Sequence, residues 1–367
     1  MNRFCLIIFL ASLSLLQPAL ANDFVRAKGD SLVIGENEEA FNIKGVCFDN
    51  YFYFKNPERI LNSGHHSSID FQRVKEIGMN TIRFSMNHKV FNTEAGFEWL
   101  AKNIEDAKDQ DLKLILVMHI PPGGFQGGSK KGRKLWNRRK NKKRLIELWQ
   151  EIARRHSDDP AILGYSLMNE PTPVKGLRQW QNFANKITKA IRDIDQNHMI
   201  VIEESYNRRD ENTNNRFFIL DDPNALYDMH FYEPFQYTHQ GINVEGDFDP
   251  QLKDQITYPN EELNKDFLRA ELENRISFLE ENNVPIIVAE FGTNVRSFED
   301  GKGGLSWVSD VIDLFNEKNI GYTFYAYHGV SFAINTISPI DFDFDELPGV
   351  DPEKINQPLI DLLSQHQ

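Results

Sequence analysis

Short apolar segments alternate with longer amphipathic segments along most of the chain. The apolar segments are rich in Val, Ile and Leu, which is typical of strands that are buried on both faces. They predict eight β-strands, over Phe41–Val46, Thr81–Ser85, Lys113–His119, Ile162–Met168, Met199–Glu203, Leu226–Tyr232, Pro285–Phe291 and Gly321–Tyr327.

The segments between these strands carry apolar residues at helical spacing. They predict helices over Ile69–Ile77, Phe97–Gln110, Arg139–His156, Leu177–Asp195, Glu261–Asn282 and Leu305–Asn316, and a last one near Asp351–Ser364. The stretch Tyr206–Leu220, between the fifth and sixth strands, is polar and has the weakest helical pattern.

Strands that alternate with helices form either an open doubly wound sheet or a closed barrel. The open sheet usually has a Gly-rich phosphate loop after its first strand, and Val46–Asn50 contains no such loop. Eight repeated units therefore favour a single-domain (β/α)8 TIM barrel, for which 367 residues are an ordinary length. Phe24–Ile34 precedes the first strand and predicts a small hairpin that closes the barrel floor.

The N-terminus has the three parts of a secretory signal peptide. Arg3 is followed by the apolar run Cys5–Leu16 and by the small-residue cleavage site Ala19-Leu20-Ala21. The alternative, a membrane anchor, would need a run of ~20 apolar residues. We expect cleavage after Ala21, a catalytic barrel over residues 22–367, and a secreted or periplasmic enzyme.

The formal net charge is −13, which argues against a nucleic-acid partner. Of the two cysteines, Cys5 leaves with the signal peptide and Cys47 remains alone, so no internal disulfide is expected.

The segment Lys130–Arg144 is dense in Lys and Arg. It is either a solvated loop and helix start or a local site for an acidic polysaccharide or an anionic surface. We expect a monomer without a membrane partner.

Several predicted strands end in side chains that can carry chemistry. In a barrel these ends open onto one face, where active sites lie. The residues concerned are Arg83, His119, Asn169, Glu170, His230, Tyr232, Glu290 and Tyr325.

Glu170 and Glu290 each end an apolar strand. A charge in that position is costly unless it is paired or used, so each is either a rim ion pair or a functional group. Two such carboxylates across a barrel mouth suit a glycosidase. One protonates the departing oxygen, and the other attacks the anomeric carbon in retaining enzymes, where the two groups lie ~5–5.5 Å apart, against ~6.5–9.5 Å in inverting ones.

The motifs around these residues resemble those of the cellulase-type glycoside hydrolases of family 5, from residue 24 to the C-terminus. That family belongs to a retaining clan with glutamates after the fourth and seventh strands. The matching segments are Met79–Arg83, Gly164–Pro171, His230–Tyr232 and Ile287–Gly292.

The resemblance implies roles for the strand-end residues. Glu170 is expected to be the acid/base, kept protonated by an apolar wall and by the charge of Glu290. Glu290 is expected to be the nucleophile, held ionised by Arg83 and oriented by Tyr232. Asn169 is expected to bind the sugar 2-hydroxyl.

Further residues are implied as sugar-binding or supporting groups. His119 and His230 would orient the carboxylates or sugar hydroxyls, although His119 can equally be a structural histidine. Tyr325 aligns with a family Trp that forms the floor of the central sugar subsite, and Tyr327 is the alternative. Trp136 is a candidate sugar platform.

We therefore expect hydrolysis of a β-glucan by double displacement, with no cofactor and no metal. The alternatives are the same chemistry on β-mannan or β-1,3-glucan, and an inactive carbohydrate-binding barrel. The Asp341–Asp345 pattern lacks the Gly and Glu of a calcium loop.

Overall fold

A computed structural model of the chain describes residues 23–62, 65–127, 132–207, 216–241, 256–329, 331–336 and 355–366. Eight parallel strands close into a barrel in chain order, and the last pairs with the first. They are β4 Lys44–Phe48, β5 Thr81–Asn87, β6 Lys113–Ile120, β7 Ile162–Ser166, β8 Met199–Glu203, β9 Ala225–Phe231, β10 Ile286–Phe291 and β11 Gly321–Phe324. The predicted single-domain (β/α)8 barrel is confirmed.

Helices surround the barrel. They are α1 Pro57–Leu61, α2 Ser68–Glu76, α3 Glu94–Asp109, α4 Arg133–Asn137, α5 Arg139–His156, α6 Leu177–Arg192, α7 Phe235–Thr238, α8 Lys265–Glu281, α9 Gly304–Glu317 and α10 Gln357–Gln365. A short parallel pair, β12 His328–Gly329 and β13 Asn335–Thr336, follows the barrel. Among the described residues, no helix is both long and apolar enough to cross a membrane.

Most of the predicted boundaries lie within a few residues of the observed ones. The first barrel strand begins at Lys44 rather than Phe41, because the backbone of Phe41 still bonds to Leu32 in the preceding hairpin. No helix occurs in the described parts of Tyr206–Leu220. The predicted signal peptide and Asp341–Asp345 lie outside the described residues.

The predicted N-terminal hairpin is present. β1 Arg26–Lys28 pairs antiparallel with β2 Ser31–Ile34, and β3 Glu39–Ala40 adds a third strand. Val25 and Leu32 are buried in one cluster with side chains of the barrel strands, among them Ile115 and Leu226. The hairpin is thus packed onto the barrel core.

Three fully buried tryptophans connect the outer helices to the barrel strand ends. Each indole N–H donates to a backbone carbonyl: Trp149 of α5 to Leu167 at 3.1 Å, Trp180 of α6 to Glu203 at 2.9 Å, and Trp307 of α9 to Glu233 at 3.0 Å. A buried indole N–H needs a partner, so these bonds fix the position of each helix along the barrel strands. They therefore help to position the carboxyl ends of the strands.

Candidate active site

The strand-end residues converge at the carboxyl face of the barrel. Arg83 of β5 and Glu290 of β10 are 207 residues apart in the chain, yet Arg83 Nη1 donates to Glu290 Oε1 at 2.6 Å. Asn169 and Glu170 follow β7, and His230 lies on β9. Barrel closure brings these groups together, as expected from the strand order.

Glu290 is held by two donors. Besides Arg83, the hydroxyl of Tyr232 donates to Glu290 Oε2 at 3.0 Å. The guanidinium of Arg83 is fully buried, and its other amino group donates to Asn169 Oδ1 at 2.6 Å. One buried cation therefore fixes both the carboxylate of Glu290 and the amide of Asn169.

Glu170 has a left-handed backbone, with φ of +43°. This region is uncommon for a residue with a side chain and requires support from its surroundings. The backbone N–H of Glu170 donates to Glu203 Oε1 at 2.8 Å, and its carbonyl accepts from the backbone N–H of Gly127 at 3.1 Å. A Cβ on Gly127 would overlap Glu170 Oε2, so only glycine allows this approach.

Burial raises the pKa of Glu170 to about 7, and the charge of Glu204 adds to the rise while Arg83 opposes it. The side chain remains 22% exposed, as a group that must reach substrate requires. The like charge that contributes is thus Glu204, which forms an ion pair with Arg275, rather than Glu290 as expected from the sequence.

His230 lies between the two glutamates. Its Nδ1 is 3.3 Å from Glu170 Oε1 and 3.4 Å from Glu290 Oε2, and its Nε2 is 3.2 Å from Glu203 Oε1. Burial lowers the pKa of His230 to about 4, so the ring is neutral at neutral pH. A neutral imidazole can donate one proton and accept another without adding charge.

The spacing of the glutamates is short. One carboxylate oxygen of Glu170 and one of Glu290 lie, with a ring nitrogen of His230, within 4.8 Å of one another. Glu203, Asp228 and His230 form a second group of this kind. Such groups can hold a cation, but here the guanidinium of Arg83 already supplies positive charge to Glu290.

The remaining predicted residues differ in their surroundings. His119 is buried, stacks on Phe52 with ring centroids 3.6 Å apart, and has Nδ1 3.2 Å from the hydroxyl of Ser85. Tyr325 is half-buried at the strand end, whereas Tyr327 is buried and its hydroxyl donates to Asp70 at 3.3 Å. Of the two tyrosines, Tyr325 is therefore the one that can offer a face to a sugar.

The structure corrects the expectation for Trp136. Its side chain is only 2% exposed, and its ring packs edge-on against Trp180 and Phe183. The indole N–H donates to Gln126 Oε1 at 2.8 Å. A ring enclosed in this way belongs to the core and has no free face for a sugar.

The basic segment lies on α4, on α5 and on the loop before them, where Lys130 and Lys131 are outside the described residues. Its cations line one side of a groove between α5 and α6, together with cations of α6 and the loop that precedes it. The groove-lining cations are Arg139, Lys142, Lys143, Lys175, Arg178 and Lys186.

Two residues of the site were missed from the sequence. Glu203 ends β8 with a fully buried side chain, and burial raises its pKa well above that of an ordinary Glu. Its signal was present, since Glu203 ends an apolar strand just as Glu290 does. Gly127 had no such signal, because its contact with Glu170 depends on how two loops pack.

Comparisons with known proteins agree with this geometry. The model of the cellulase family, glycosyl hydrolase family 5, matches residues 35–331. Endoglucanase C of Acetivibrio thermocellus is 26% identical over 296 residues, which cover 72% of this chain and 84% of that protein. Cellodextrinase A of Ruminococcus flavefaciens is 24% identical over 259 residues, covering 68% and 75%.

Solved structures share the fold. The Clostridial cellulose synthase subunit Z of Clostridioides difficile superimposes with a TM-score of 0.68 at 19% identity, covering 88% of this chain and 99% of that one. Endoglucanase Cel5A of Thermotoga maritima gives 0.66 at 21% identity, covering 88% and 96%. The family model spans the barrel from its floor hairpin to the segment after its last strand, and the chain is therefore a glycosidase that belongs to glycoside hydrolase family 5.

Proposed function

We propose that this chain is an exported, retaining β-glucanase that cleaves within its polysaccharide by double displacement. The observation that carries the proposal is the pair formed by Glu170 and Glu290, whose nearest described carboxylate oxygens lie within 4.8 Å. Such close approach of two carboxylate oxygens favours the ~5–5.5 Å carboxyl spacing of retaining enzymes over the ~6.5–9.5 Å spacing that leaves room for a water molecule in inverting ones.

In the first step, a carboxylate oxygen of Glu290 forms a bond to the anomeric carbon while the bond to the leaving oxygen breaks. Glu170 transfers its proton to that oxygen, which departs as an alcohol. The pKa of about 7 keeps Glu170 protonated in weakly acidic solution, so the proton is available. The product of this step is a glycosyl ester on Glu290.

In the second step, Glu170 takes a proton from a water molecule as the water oxygen bonds to the anomeric carbon. The ester bond breaks and the carboxylate of Glu290 is restored. Two inversions return the starting configuration. Asn169 directs its carbonyl oxygen to Arg83, which leaves its amino group as the donor for the sugar 2-hydroxyl.

Most of the supporting groups act by holding the two catalytic carboxylates in place. Arg83 and Tyr232 hold the nucleophile, and neutral His230 contacts both carboxylates without repelling a positively charged transition state. Glu203 is a positioning residue, since it accepts from the backbone of Glu170 and contacts His230. Tyr325 provides the stacking surface, and His119 is proposed as a donor to sugar hydroxyls.

A β-glucan is favoured as substrate because the relatives described above are an endoglucanase and a cellodextrinase. A screen of the purified protein against soluble β-1,4-glucan, β-1,3-glucan, mannan and xylan tests this choice. Turnover of mannan alone, or of β-1,3-glucan alone, would mean that the enzyme carries out the same reaction on that polymer. Inactivity on every polymer would favour a binding barrel.

The roles of the two glutamates are tested by azide and an aryl β-cellobioside with a good leaving group. Glu170→Ala and Glu290→Ala should each lower turnover by at least ~10²-fold. Azide should then yield the β-glycosyl azide from Glu170→Ala and the α-glycosyl azide from Glu290→Ala.

Glu299→Ala, which removes an exposed carboxylate nine residues after Glu290, is the matched control and should form no azide product. If each variant gave the opposite azide configuration, Glu290 would be the acid/base and Glu170 the nucleophile. NMR of the first anomer released by the native enzyme tests retention itself, and an inverted anomer would overturn double displacement.

Export is proposed from the N-terminal pattern of the sequence. N-terminal sequencing of the protein recovered outside the cytoplasm should begin at Asn22. Recovery of a chain that still begins at Met1 would contradict cleavage after Ala21.

A further inference from the structure

A group of histidines lies at the rim of the barrel, outside the residues assigned to catalysis. We call His65, His66 and His328 the histidine cluster. His65 and His66 lie between α1 and α2, and His328 begins β12, just after the last barrel strand. One ring nitrogen from each histidine lies within 4.8 Å of the other two, and the side chains are at most 2% exposed.

Several ring nitrogens in this cluster are buried without a hydrogen-bond partner. Among the described residues, neither nitrogen of His66 has one, and Nε2 of His328 has none. Buried polar atoms normally have partners, because desolvation without one costs free energy.

The surroundings orient the lone pair of His328. Nδ1 of His328 lies 3.0 Å from the backbone carbonyl oxygen of His65, so Nδ1 carries the proton and donates it. The lone pair of His328 is then on Nε2, the nitrogen without a partner. Metal-binding histidines are held in this way, with one nitrogen donating to a carbonyl and the other facing the ion.

A carboxylate joins the cluster. Asp49, which follows β4 at the barrel rim, has Oδ1 2.7 Å from Nε2 of His65 and 3.9 Å from Nε2 of His66. Its Oδ1 is placed beside His65 and His66 to act as a fourth ligand, and its negative charge would partly neutralise a divalent cation.

We propose that the histidine cluster and Asp49 bind one transition-metal ion, with Zn²⁺ as the preferred ion. Three nitrogens and one carboxylate oxygen form a tetrahedral set typical of zinc, whereas Ca²⁺ and Mg²⁺ prefer oxygen ligands alone. Zn–N bonds of ~2.0–2.1 Å separate tetrahedral ligand atoms by about 3.3 Å, so the three ring nitrogens, which lie within 4.8 Å of one another, would draw together around the ion. The burial of all four side chains makes the site structural.

The proposed ion would lie where three segments of the barrel rim meet and would link them. Asp49 follows β4 and His328 follows β11, and these are the first and last strands of the barrel, which pair where it closes. His65 and His66 precede α2, the first long helix. A bound ion would join all three segments, including the strand end that carries Tyr325.

Metal content provides the direct test. The protein, purified without a polyhistidine tag, is stripped with a chelator, reconstituted with Zn²⁺, desalted and analysed by mass spectrometry for metals. Native protein should retain about one equivalent of Zn²⁺. His66→Gln and His328→Gln should each retain less than about a fifth of that amount.

His156→Gln is the matched control, since His156 at the end of α5 is also partly buried with an unpartnered Nε2, away from the cluster. It should retain the full equivalent. Native protein that binds no Zn²⁺ after reconstitution would overturn the proposal. Retention of the full native equivalent by both cluster variants would also overturn it, because the ion would then be bound elsewhere, for example at the catalytic carboxylates.

A second measurement does not depend on the folding of any variant. Chelation should lower the Tm of the native protein, Zn²⁺ should restore it, and Co²⁺ should give the visible absorption of a tetrahedral site. An unchanged Tm and a Co²⁺ spectrum of the hydrated ion would reject the site. Neither readout uses a substrate, so the result is independent of the proposed glycosidase reaction.

Discussion

Glu170 and Glu290 are the same residue type at the same rim of the barrel, one after β7 and one within the last residues of β10, yet their surroundings differ. Glu290 accepts from the buried guanidinium of Arg83 and from the hydroxyl of Tyr232. No cation among the described residues bonds to the carboxylate of Glu170, and burial with the charge of Glu204 raises its pKa to about 7. One glutamate is thus held by a buried cation, whereas burial raises the pKa of the other.

The difference is consistent with the two chemical roles proposed for residues of the same type on one barrel rim. Each strand of the barrel delivers a residue to the same rim, but the neighbours come from different strands. Arg83 of β5 donates to Asn169, the residue before Glu170, and to Glu290, but it contacts the carboxylate of Glu290 rather than that of Glu170 at hydrogen-bond distance. The proposed roles therefore depend on which charged or apolar side chains lie nearest to each glutamate.

Removal of Arg83 should have the largest effect. Arg83→Met leaves the buried carboxylate of Glu290 without its cation, which costs about 3–5 kcal/mol in the free energy of unfolding. Urea-induced unfolding at pH 7 measures this loss. The double variant Arg83→Met/Glu290→Gln removes the stranded charge and should recover much of it. A single variant as stable as native protein would mean that Arg83 does not stabilise the anion.

The acid role of Glu170 predicts a gain in stability when its charge is removed. A rise in pKa from the ordinary 4.5 to about 7 corresponds to about 3 kcal/mol. Below pH 4.5 the carboxyl is neutral in both folded and unfolded chains, so native protein and Glu170→Gln should be equally stable. Stability of native protein is lost as the pH rises through about 7, so the variant should be more stable by about 3 kcal/mol at pH 9.

Unfolding curves at the two pH values test this prediction, and Glu299→Gln, which changes an exposed carboxyl, should show no such difference. The same pKa sets the alkaline limb of kcat/KM, which should fall as the pH rises above about 7. Identical stabilities of native protein and Glu170→Gln at pH 9 would rule out a raised pKa.

Gly127 tests whether the position of Glu170 matters as much as its pKa. Gly127→Ala adds a Cβ that overlaps Glu170 Oε2 and should move the acid away from the leaving oxygen. A displacement of about 1 Å can reduce the rate by ~10²-fold. Gly301→Ala is the matched control, because Gly301 also has a positive φ, of +77°, but open space around its Cβ. Equal kcat values for the two variants would contradict the steric argument.

Glu203 should give the smallest effect when it is replaced by its isostere. Glu203→Gln keeps an oxygen acceptor for the backbone N–H of Glu170, and burial already favours the neutral form of Glu203, so kcat should change by less than ~10-fold. Glu203→Ala removes that acceptor and should lower kcat further, with a changed alkaline limb. If both variants behaved alike, Glu203 would not be a positioning residue.

The convergence of the strand-end residues was predictable because it follows from two regular features of the chain. The apolar runs mark the strands, and parallel strands in a barrel present their carboxyl ends to one face. Arg83, Glu170, His230 and Glu290 therefore converge as expected. Trp136 was misjudged because an aromatic residue in a basic loop looks exposed in the sequence, whereas its ring packs against two aromatics of α6.

The sequence by itself determined the barrel, the family and the two glutamates, because these depend on strand order and local motifs. Only the tertiary structure decided which neighbours surround each glutamate. The contact of Gly127 with Glu170, the contribution of Glu204, the choice of Tyr325 over Tyr327, and the meeting of the histidine cluster with Asp49 all depend on how distant loops pack. Local sequence patterns do not predict those contacts, because burial and charge act through space between residues that are far apart in the chain.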